Sequence, residues 1–201
     1  MVKVAILDYG AGNLFSLKNS LERAGAEVYI VDEPSGCAGY SGVLLPGVGN
    51  FDPAVKKIRG KNTIFEDDIL GKIPVLGICL GMEMFFESSE EGIEQGLGAI
   101  PGKVVVLPSS MKVPHMGWNS LEQSRQGRLL EGVQDNSWAY FVHSYMVKPE
   151  DPGVVSASAD YGTSIPAVIE KGCIYGTQFH PEKSGPAGRL MLENFLTECS
   201  R

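Results

Sequence analysis

The chain has 201 residues, of which 43% are hydrophobic and 20% are charged, and its net charge at pH 7 is −7. This composition is ordinary for a globular protein, and the length suffices for one domain with a sizeable core. The acidic balance argues against nucleic-acid binding, because no basic stripe is available to neutralise phosphates. No segment reaches the roughly 18 apolar residues of a membrane span, and the apolar N-terminal run is too short for a signal peptide.

Four cysteines and three histidines are scattered along the chain, without the paired spacing that is typical of a metal site. Four cysteines in a chain of this length are too few for a secreted disulfide scaffold. We therefore expect reduced thiols in a cytoplasmic protein that uses neither a metal nor a membrane.

The first half of the chain alternates short apolar strands with helices. Strands are predicted over residues 2–7, 27–31, 42–45 and 75–78, and helices are predicted after Asn13, over 64–70 and from Leu80 onward. Asn13 is suited to cap the first helix, and Gly25 is suited to end it. This alternation predicts an α/β fold with a doubly wound, mostly parallel sheet flanked by helices.

After Gly102 the pattern changes to β-type runs joined by short turns. These runs are KVVVL, AYFVHSYMV, PAVIE and CIYGTQF. They predict a C-terminal antiparallel or mixed extension of the same sheet, closed by a helix over residues 189–199. No linker interrupts the chain, so we expect a single domain over residues 1–201.

The loop GAGN at residues 10–13 is partly similar to a dinucleotide-binding fingerprint. The third glycine of that fingerprint is replaced by Phe15, so the match fails. Asp32 stands where a ribose partner would be expected, but many sequences would offer an acidic residue there. A tight turn into a helix accounts for the loop better, and we predict no cofactor.

Cys79 stands between Gly77 and Gly81, directly after a predicted strand and before a predicted helix. This arrangement is that of a nucleophile elbow with cysteine in place of serine. Flanking glycines remove the Cβ atoms that would collide in so sharp a turn, and the helix start supplies N–H groups that favour a thiolate. The alternative is a small buried hydrophobe, which is the usual place of a free cysteine.

A predicted strand also leads into His180, Pro181 and Glu182, roughly 100 residues after Cys79, as expected for catalytic partners that folding brings together. A histidine can take the proton of a thiol and later protonate a leaving amine. Glu182 can orient the imidazole, which is the third role in a triad. The alternative is a surface turn that contains an incidental histidine.

The third strand is predicted to end in the glycine loop PGVG, residues 46–49. In a doubly wound sheet this loop can lie beside the elbow, where its N–H groups could complete an oxyanion hole with the N–H of Leu80. The alternatives are a simple glycine turn or a phosphate cradle. No Gly-Lys-Ser/Thr follows, which excludes a P-loop.

The motifs GICLGM, PGVGNF and FHPEKS, in their order and spacing, resemble those of the class I (triad-type) glutamine amidotransferases. The stretches DYGAGN, PHMGWN and FVHSY narrow the resemblance to the glutaminase subunits of imidazole glycerol phosphate synthase, an enzyme of histidine biosynthesis. The resemblance covers essentially the whole chain.

The resemblance implies that Cys79 attacks the side-chain amide of glutamine, with His180 as acid and base and Glu182 as its orienting partner. It implies an oxyanion hole made by the N–H of Leu80 and by the Val48–Gly49 strand, and a switch in which the partner protein reorients that strand. It also implies substrate contacts that involve Gly49, Glu83, Glu91, Ser144 and Tyr145.

The same resemblance implies a cyclase partner, a (β/α)8-barrel subunit that receives the ammonia before water can protonate it. The implied docking face includes Asn13, Trp118, Tyr140 and Lys183. Tryptophan and tyrosine are common interface anchors. His115 and His143 fall in family motifs and are interpreted as structural.

One residue departs from the family pattern. The class commonly has glutamine four residues after the nucleophile, and this chain has Glu83. A carboxylate there could accept a hydrogen bond from the substrate ammonium. The same charge would repel the substrate carboxylate and a thiolate at Cys79.

Two other functions fit parts of the pattern. An amidotransferase subunit for another acceptor, as in GMP or anthranilate synthesis, would keep the triad but leave PHMGWN unexplained. A silent regulatory or scaffolding subunit would not need the triad, and Cys79, His180 and Glu182 are all present.

Overall fold

The computed structural model describes residues 1–60 and 65–201. Its strands, in chain order, are β1 (Lys3–Leu7), β2 (Glu27–Val31), β3 (Gly42–Leu45), β4 (Val75–Ile78), β5 (Ser88–Ser89), β6 (Gly102–Val106), β7 (His115–Ser120), β8 (Glu122–Gln123), β9 (Trp138–His143), β10 (Tyr145–Pro149), β11 (Val155–Asp160), β12 (Ser164–Lys171) and β13 (Ile174–Thr177).

The α-helices are α1 (Leu14–Arg23), α2 (Phe51–Arg59), α3 (Leu80–Glu83) and α4 (Gly185–Glu198). Short 3-10 turns cover Pro34–Cys37, Pro152–Val154 and Pro181–Lys183. The helix predicted over 64–70 is a π-helical turn, Phe65–Ile69, and residue 64 lies outside the described residues. No helix in the described ranges is long and apolar enough to span a bilayer.

Within the described residues, eight strands form a central sheet in the order β2-β1-β3-β4-β13-β12-β11-β8. Strands β2 to β13 of this order pair in parallel, and β12, β11 and β8 continue the sheet antiparallel. This confirms the predicted doubly wound, mostly parallel sheet with an antiparallel extension.

The predicted extension is wrong in one respect, because KVVVL and AYFVHSYMV do not join the central sheet. KVVVL forms β6, which pairs with β10 and β5, whereas β9 pairs with β7. The run AYFVHSYMV divides at Ser144 into β9 and β10, whose hydrogen bonds go to different partners. Its continuous apolar pattern does not reveal that break, since each half is an ordinary strand.

Both faces of the central sheet are covered, as the alternation of side chains along β1 shows. Val4 and Ile6 belong to one buried cluster, together with residues of α1 and α4, and Ala5 and Leu7 belong to a second cluster with residues of α2. These four residues of β1 are at most 1% exposed. The carboxyl ends of β1, β3, β4 and β13 therefore meet at one edge, between two layers of core.

Candidate active site

Cys79 occupies the turn between β4 and α3, with φ 52° and ψ −109°. This left-handed conformation is rare for a residue with a side chain and marks a strained turn. A Cβ on Gly77 would lie 2.5 Å from the carbonyl carbon of Gly81, and a Cβ on Gly81 would collide with the carbonyl oxygen of Leu45. The elbow predicted from the glycine spacing is present.

The thiol of Cys79 is buried, with 7% of the residue exposed. Sγ donates to the Val142 carbonyl oxygen at 3.8 Å, and the Gln178 side-chain amide donates to Sγ at 3.7 Å. Burial and then the charge of Glu83 raise the pKa of Cys79, against smaller lowering effects from the Leu80 N–H and Gln178. The expected thiolate is therefore not the resting form, and the site needs a base.

His180 lies three residues beyond β13, where parallel pairing sets Thr177 against Ile78, the residue before Cys79. Its Nδ1 lies 2.9 Å from Oε1 of Glu182, and both side chains are at most 5% exposed. Because a carboxylate only accepts, Nδ1 carries the hydrogen, and Nε2 is left with a free lone pair. This tautomer is the one that a general base requires.

The backbone around His180 is held at both polar atoms. Its N–H donates to the Tyr140 carbonyl oxygen at 3.0 Å, and its carbonyl oxygen accepts from the Ser184 hydroxyl at 2.6 Å. The Ser184 hydroxyl also accepts from the Tyr140 N–H at 3.0 Å. The imidazole is thus fixed by β9 and by the start of α4.

No hydrogen bond joins Cys79 to His180 in the ligand-free protein. Nε2 of His180 is buried and has no hydrogen-bond partner among the described residues, and the thiol points its hydrogen at Val142 instead. The structure brings Cys79, His180 and Glu182 to the same sheet edge.

A cavity of about 260 Å³ opens over Cys79. It is lined by Val48, Gly49, Cys79, Leu80, Glu83, Glu91, Pro114, Val142, His143, Ser144 and Tyr145. Its lining contains every residue that the resemblance assigned to the oxyanion hole and to the substrate. A larger surface groove of about 800 Å³ lies beside β6 and β10 and contains none of them.

The glycine loop after β3 is tied to the loop after β1. The Gly12 N–H donates to the Val48 carbonyl oxygen at 3.1 Å, which fixes the direction of the peptide that joins Val48 to Gly49. The side chain of Val48 is 53% exposed. The N–H of Leu80, at the start of α3, lowers the pKa of Cys79.

Glu91 forms the outer part of the cavity wall. Its Oε2 accepts the Phe51 N–H at 3.0 Å, at the start of α2, and burial raises its pKa. The neighbouring carboxylate of Asp52 accepts the N–H groups of Ile93 and Glu94, which fixes the loop that follows Glu91. This loop therefore has a defined position beside the cavity.

Glu83 lines the cavity and is buried, with 4% of the residue exposed. Its Oε1 accepts from the side-chain amide of Gln178 at 3.1 Å, and burial raises its pKa to about 8. Gln178 was not predicted as a site residue. It stands in a β-type run where only its spacing before His180 and its polarity among buried neighbours could have indicated a role.

His115 and His143 form a buried pair beside the cavity. Nδ1 of His115 lies 2.9 Å from Nε2 of His143, and Nδ1 of His143 lies 2.7 Å from the Tyr145 carbonyl oxygen. Burial lowers the pKa of His143 to about 4 and also lowers that of His115. Both rings are neutral near pH 7 and form a hydrogen-bonded brace, in keeping with the structural interpretation.

Three of the four expected docking residues lie together on the surface. Trp118 and Tyr140 face each other across β7 and β9 with ring centroids 5.9 Å apart, and Nζ of Lys183 lies 5.9 Å from the Tyr140 centroid. Trp118 is 53% exposed. Asn13 caps α1 by accepting the Ser16 N–H at 3.1 Å, and α1 contacts the Pro181–Lys183 turn.

Among the described residues, no group of three or more histidine, cysteine, aspartate or glutamate side chains is placed to hold a metal ion. The four cysteines are free thiols.

Comparisons with known proteins agree with this geometry. The model of the glutamine amidotransferase class-I family matches residues 5–199. The imidazole glycerol phosphate synthase subunit HisH of Synechococcus sp. (strain JA-2-3B'a(2-13)) is 47% identical, covering 100% of this chain and 94% of that protein. The HisH subunit of Archaeoglobus fulgidus is 44% identical over 98% of this chain and all of its own length.

Solved structures extend the likeness to the fold. The crystal structure of a putative GMP synthase subunit from Thermoplasma acidophilum has a TM-score of 0.76, with 23% identity over 100% of this chain and 94% of that one. At that identity only the fold is comparable, whereas the HisH relatives match in sequence from end to end. This chain therefore belongs to the class-I glutamine amidotransferases and, within them, to the family of HisH subunits of imidazole glycerol phosphate synthase.

Proposed function

We propose that this chain is the glutaminase subunit of an imidazole glycerol phosphate synthase, and that Cys79, His180 and Glu182 are its catalytic triad. The observation that carries the proposal is the strained Cys79 elbow beneath a cavity of about 260 Å³, beside a buried His180–Glu182 pair. The full-length HisH relatives support the same conclusion.

In the first step, Nε2 of His180 takes the thiol proton as Sγ of Cys79 attacks the amide carbon of glutamine. The carbonyl oxygen becomes an oxyanion, which accepts hydrogen bonds from the N–H of Leu80 and from the loop of Val48 and Gly49. Glu182 stabilises the imidazolium that forms. A raised pKa at Cys79 fits this order, because the proton leaves only when the base is in place.

Collapse of the oxyanion then breaks the carbon–nitrogen bond, and His180 gives its proton to the departing nitrogen, which leaves as ammonia. The product on the protein is a glutamyl thioester. His180 next takes a proton from water as that water attacks the thioester carbon, and it returns a proton to the thiol as glutamate leaves. Glutamine and water thus become glutamate and ammonia, with the enzyme restored.

The glutamine site combines acceptors and donors around the cavity. We propose contacts with Gly49, Glu91 and the backbone at Ser144 and Tyr145, which all line it. A carboxylate such as Glu91 suits the ammonium group of an amino acid. The role of Glu83 follows from its burial and is developed below.

We further propose that ammonia passes to a (β/α)8-barrel cyclase subunit that docks on the face containing Asn13, Trp118, Tyr140 and Lys183. The name of the relatives supports a partner, since they are subunits of a synthase. The exposed Trp118 and the half-buried Tyr140, beside a lysine, are suited to anchor such an interface. We place the complex in the cytoplasm, where the four free thiols would remain reduced.

We also propose that residues 1–201 act as one domain. The two buried clusters lie on opposite faces of one central sheet, and residues of α4, near the C-terminus, pack in the same cluster as residues of β1 and α1.

The test is glutamate release from glutamine by the purified chain, with and without the cyclase and its nucleotide ligand. Strong stimulation by the cyclase is expected, with loss of activity in Cys79→Ala. Cys173→Ala is a matched control, because Cys173 is a free thiol on the turn before β13. Activity that needs Cys79 but ignores the cyclase would point to another acceptor protein, and activity that survives Cys79→Ala would overturn the triad.

A further inference from the structure

Glu83 is the polar residue at the cavity whose chemistry the reaction above leaves unexplained. It sits one turn after the nucleophile, with its N–H donating to the Cys79 carbonyl oxygen at 3.0 Å, and it is 4% exposed. Oε1 accepts the Gln178 amide at 3.1 Å. Oε2 has no hydrogen-bond partner among the described residues, on a side chain that lines the cavity.

The groups that face Glu83 are acids or neutral groups. Cys79 lies on the elbow, Glu91 follows β5, Tyr9 follows β1, and Gln178 follows β13. No lysine or arginine in the described ranges forms an ion pair with it, and His143 across the cavity is neutral. A buried carboxylate that is surrounded by acidic and neutral groups has no positive charge to compensate for its lost hydration. Its neutral form is therefore favoured.

The side-chain amide of Gln178 has two hydrogens, and the geometry directs one to Glu83 and the other to Cys79. Nε2 lies 3.1 Å from Oε1 of Glu83 and 3.7 Å from Sγ of Cys79. Because Oε1 already accepts from Gln178, a proton on the carboxyl group is directed to Oε2. A neutral glutamic acid oriented in this way presents an O–H where the glutamine of other family members presents an N–H.

We propose that Glu83 works as a neutral carboxylic acid at the floor of the glutamine cavity, where its Oε2–H donates a hydrogen bond to an oxygen of the bound substrate. Gln178 is the positioning residue that selects the protonated oxygen. The inference rests on the proposed function, because it takes glutamine as the occupant of the cavity.

The neutral form also protects the nucleophile. A negative charge on Glu83 raises the pKa of Cys79, so ionised Glu83 opposes thiolate formation as well as losing the hydrogen bond to the substrate. Burial raises the pKa of Glu83 to about 8. The neutral form is therefore dominant at pH 7, and the ionised form is dominant above pH 8. Turnover is therefore expected to decline on the alkaline side of pH 8.

The experiment is the pH profile of kcat/KM for glutamate release by the complex with the cyclase, for wild type and Glu83→Gln. In wild type, kcat/KM is expected to fall about tenfold between pH 7 and pH 9 as the acid ionises. Glutamine cannot ionise, so the ratio of activity at pH 9 to that at pH 7 should be about tenfold higher in the variant. Glu122→Gln, at an exposed carboxylate on β8, should keep the wild-type profile.

The opposite result would overturn the proposal. If the carboxylate is the working form, wild-type kcat/KM rises through pH 8, and Glu83→Gln raises KM for glutamine at every pH. An unchanged alkaline decline in Glu83→Gln would equally remove Glu83 as its origin.

A second measurement does not depend on activity. Difference infrared spectra of the free chain should show the carbonyl band of a protonated carboxylic acid that disappears around pH 8 and is missing in Glu83→Gln. A band already absent at pH 6 would overturn the proposal. If the wild-type complex releases no glutamate at any pH, the proposed function fails, and the infrared titration still decides the state of Glu83.

Discussion

Cys79 and His180 are held in opposite ways in the ligand-free protein. The backbone of Cys79 is strained and its thiol is hydrogen-bonded to Val142, whereas the imidazole of His180 is fixed by Glu182 and has an unused nitrogen. An unpartnered buried nitrogen costs about 1–3 kcal/mol, and a hydrogen bond from the thiol to Nε2 would remove that cost. Proton transfer in the complex with glutamine is favoured by this arrangement.

Replacing Glu182 by glutamine tests how much the carboxylate contributes by orienting the His180 imidazole and stabilising its charged form. The amide can donate as well as accept, so it no longer selects the Nδ1–H tautomer or stabilises the imidazolium. We expect kcat to fall about 10²–10⁴-fold, with a smaller change in KM, in steady-state glutamate release. Glu131→Gln, at an exposed carboxylate, is the control. A full-rate Glu182→Gln enzyme would remove Glu182 from the triad.

Gln178→Leu should act on both groups that its amide contacts. Loss of the donor raises the pKa of Cys79 and of Glu83, since hydrogen bonds from Gln178 lower both. We expect kcat at pH 7 to fall. We also expect the alkaline decline in kcat/KM to move to higher pH, because Glu83 would remain neutral up to a higher pH. A decline that moves to lower pH would contradict this assignment of Gln178.

The three residues of the proposed triad could be singled out from the sequence because each has a local signal. Glycines at fixed spacing mark Cys79, and a strand end marks His180 and Glu182. The neutral state of Glu83 could not be predicted, because it depends on burial and on an amide 95 positions away in the chain. A hydrogen bond of that range has no counterpart in local sequence patterns.

Among the elements, the loop of Val48 and Gly49 is connected directly to the loop after β1. The Gly12 N–H binds the Val48 carbonyl oxygen, and Gly12 has φ +83° with a Cβ position 3.0 Å from the Cβ of Pro46. A side chain at Gly12 would therefore press on the loop that holds the oxyanion.

Gly12→Ala and Gly10→Ala form a matched pair. Gly10 has a similar φ of +86°, but nothing lies within 4 Å of its Cβ position. Both variants should lose about 1–3 kcal/mol of unfolding free energy from backbone strain, measured by denaturant titration. Only Gly12→Ala should also lower kcat in the complex, by about tenfold or more, since misplaced donors weaken the oxyanion hole. Equal kcat in the two variants would rule out the Gly12 contact as a support of the loop.

Strand positions were easier to predict than helix positions. Strands β2, β3 and β4 have the predicted bounds. Helix α2 was not predicted, because glycines and Pro53 suggested a loop, although Phe51, Ala54, Val55 and Ile58 are buried at helical spacing. Helix α4 begins at Gly185 rather than at 189, because a proline in the first turn is compatible with a helix start.

For the protein and its partner together, we predict low glutaminase activity in the isolated chain. The thiol and Nε2 are not hydrogen-bonded in the free chain, and the oxyanion loop is tied to Gly12. Glutamate release should rise strongly when the cyclase and its ligand are added. High activity of the chain alone would contradict a switch set by the partner.

Trp118→Ala should weaken cyclase binding by about 2 kcal/mol or more, which is roughly 30-fold in Kd, as expected for a central aromatic anchor. Calorimetric titration with the cyclase measures the loss. Tyr29→Ala is the control, because Tyr29 is a partly exposed aromatic residue on β2, at the far edge of the central sheet. Equal affinities of the two variants would move the interface elsewhere.

The insertion of β13 between β4 and β12 has a consequence for synthesis of the protein. The nucleophile is made early, but Gln178, 99 positions later, and the His180–Glu182 pair reach it only when β13 enters the sheet. Non-local pairing of this kind forms late in folding. A ribosome-bound chain that lacks its last segment therefore has Cys79 without its proposed base. Such a chain should not hydrolyse glutamine until synthesis is finished.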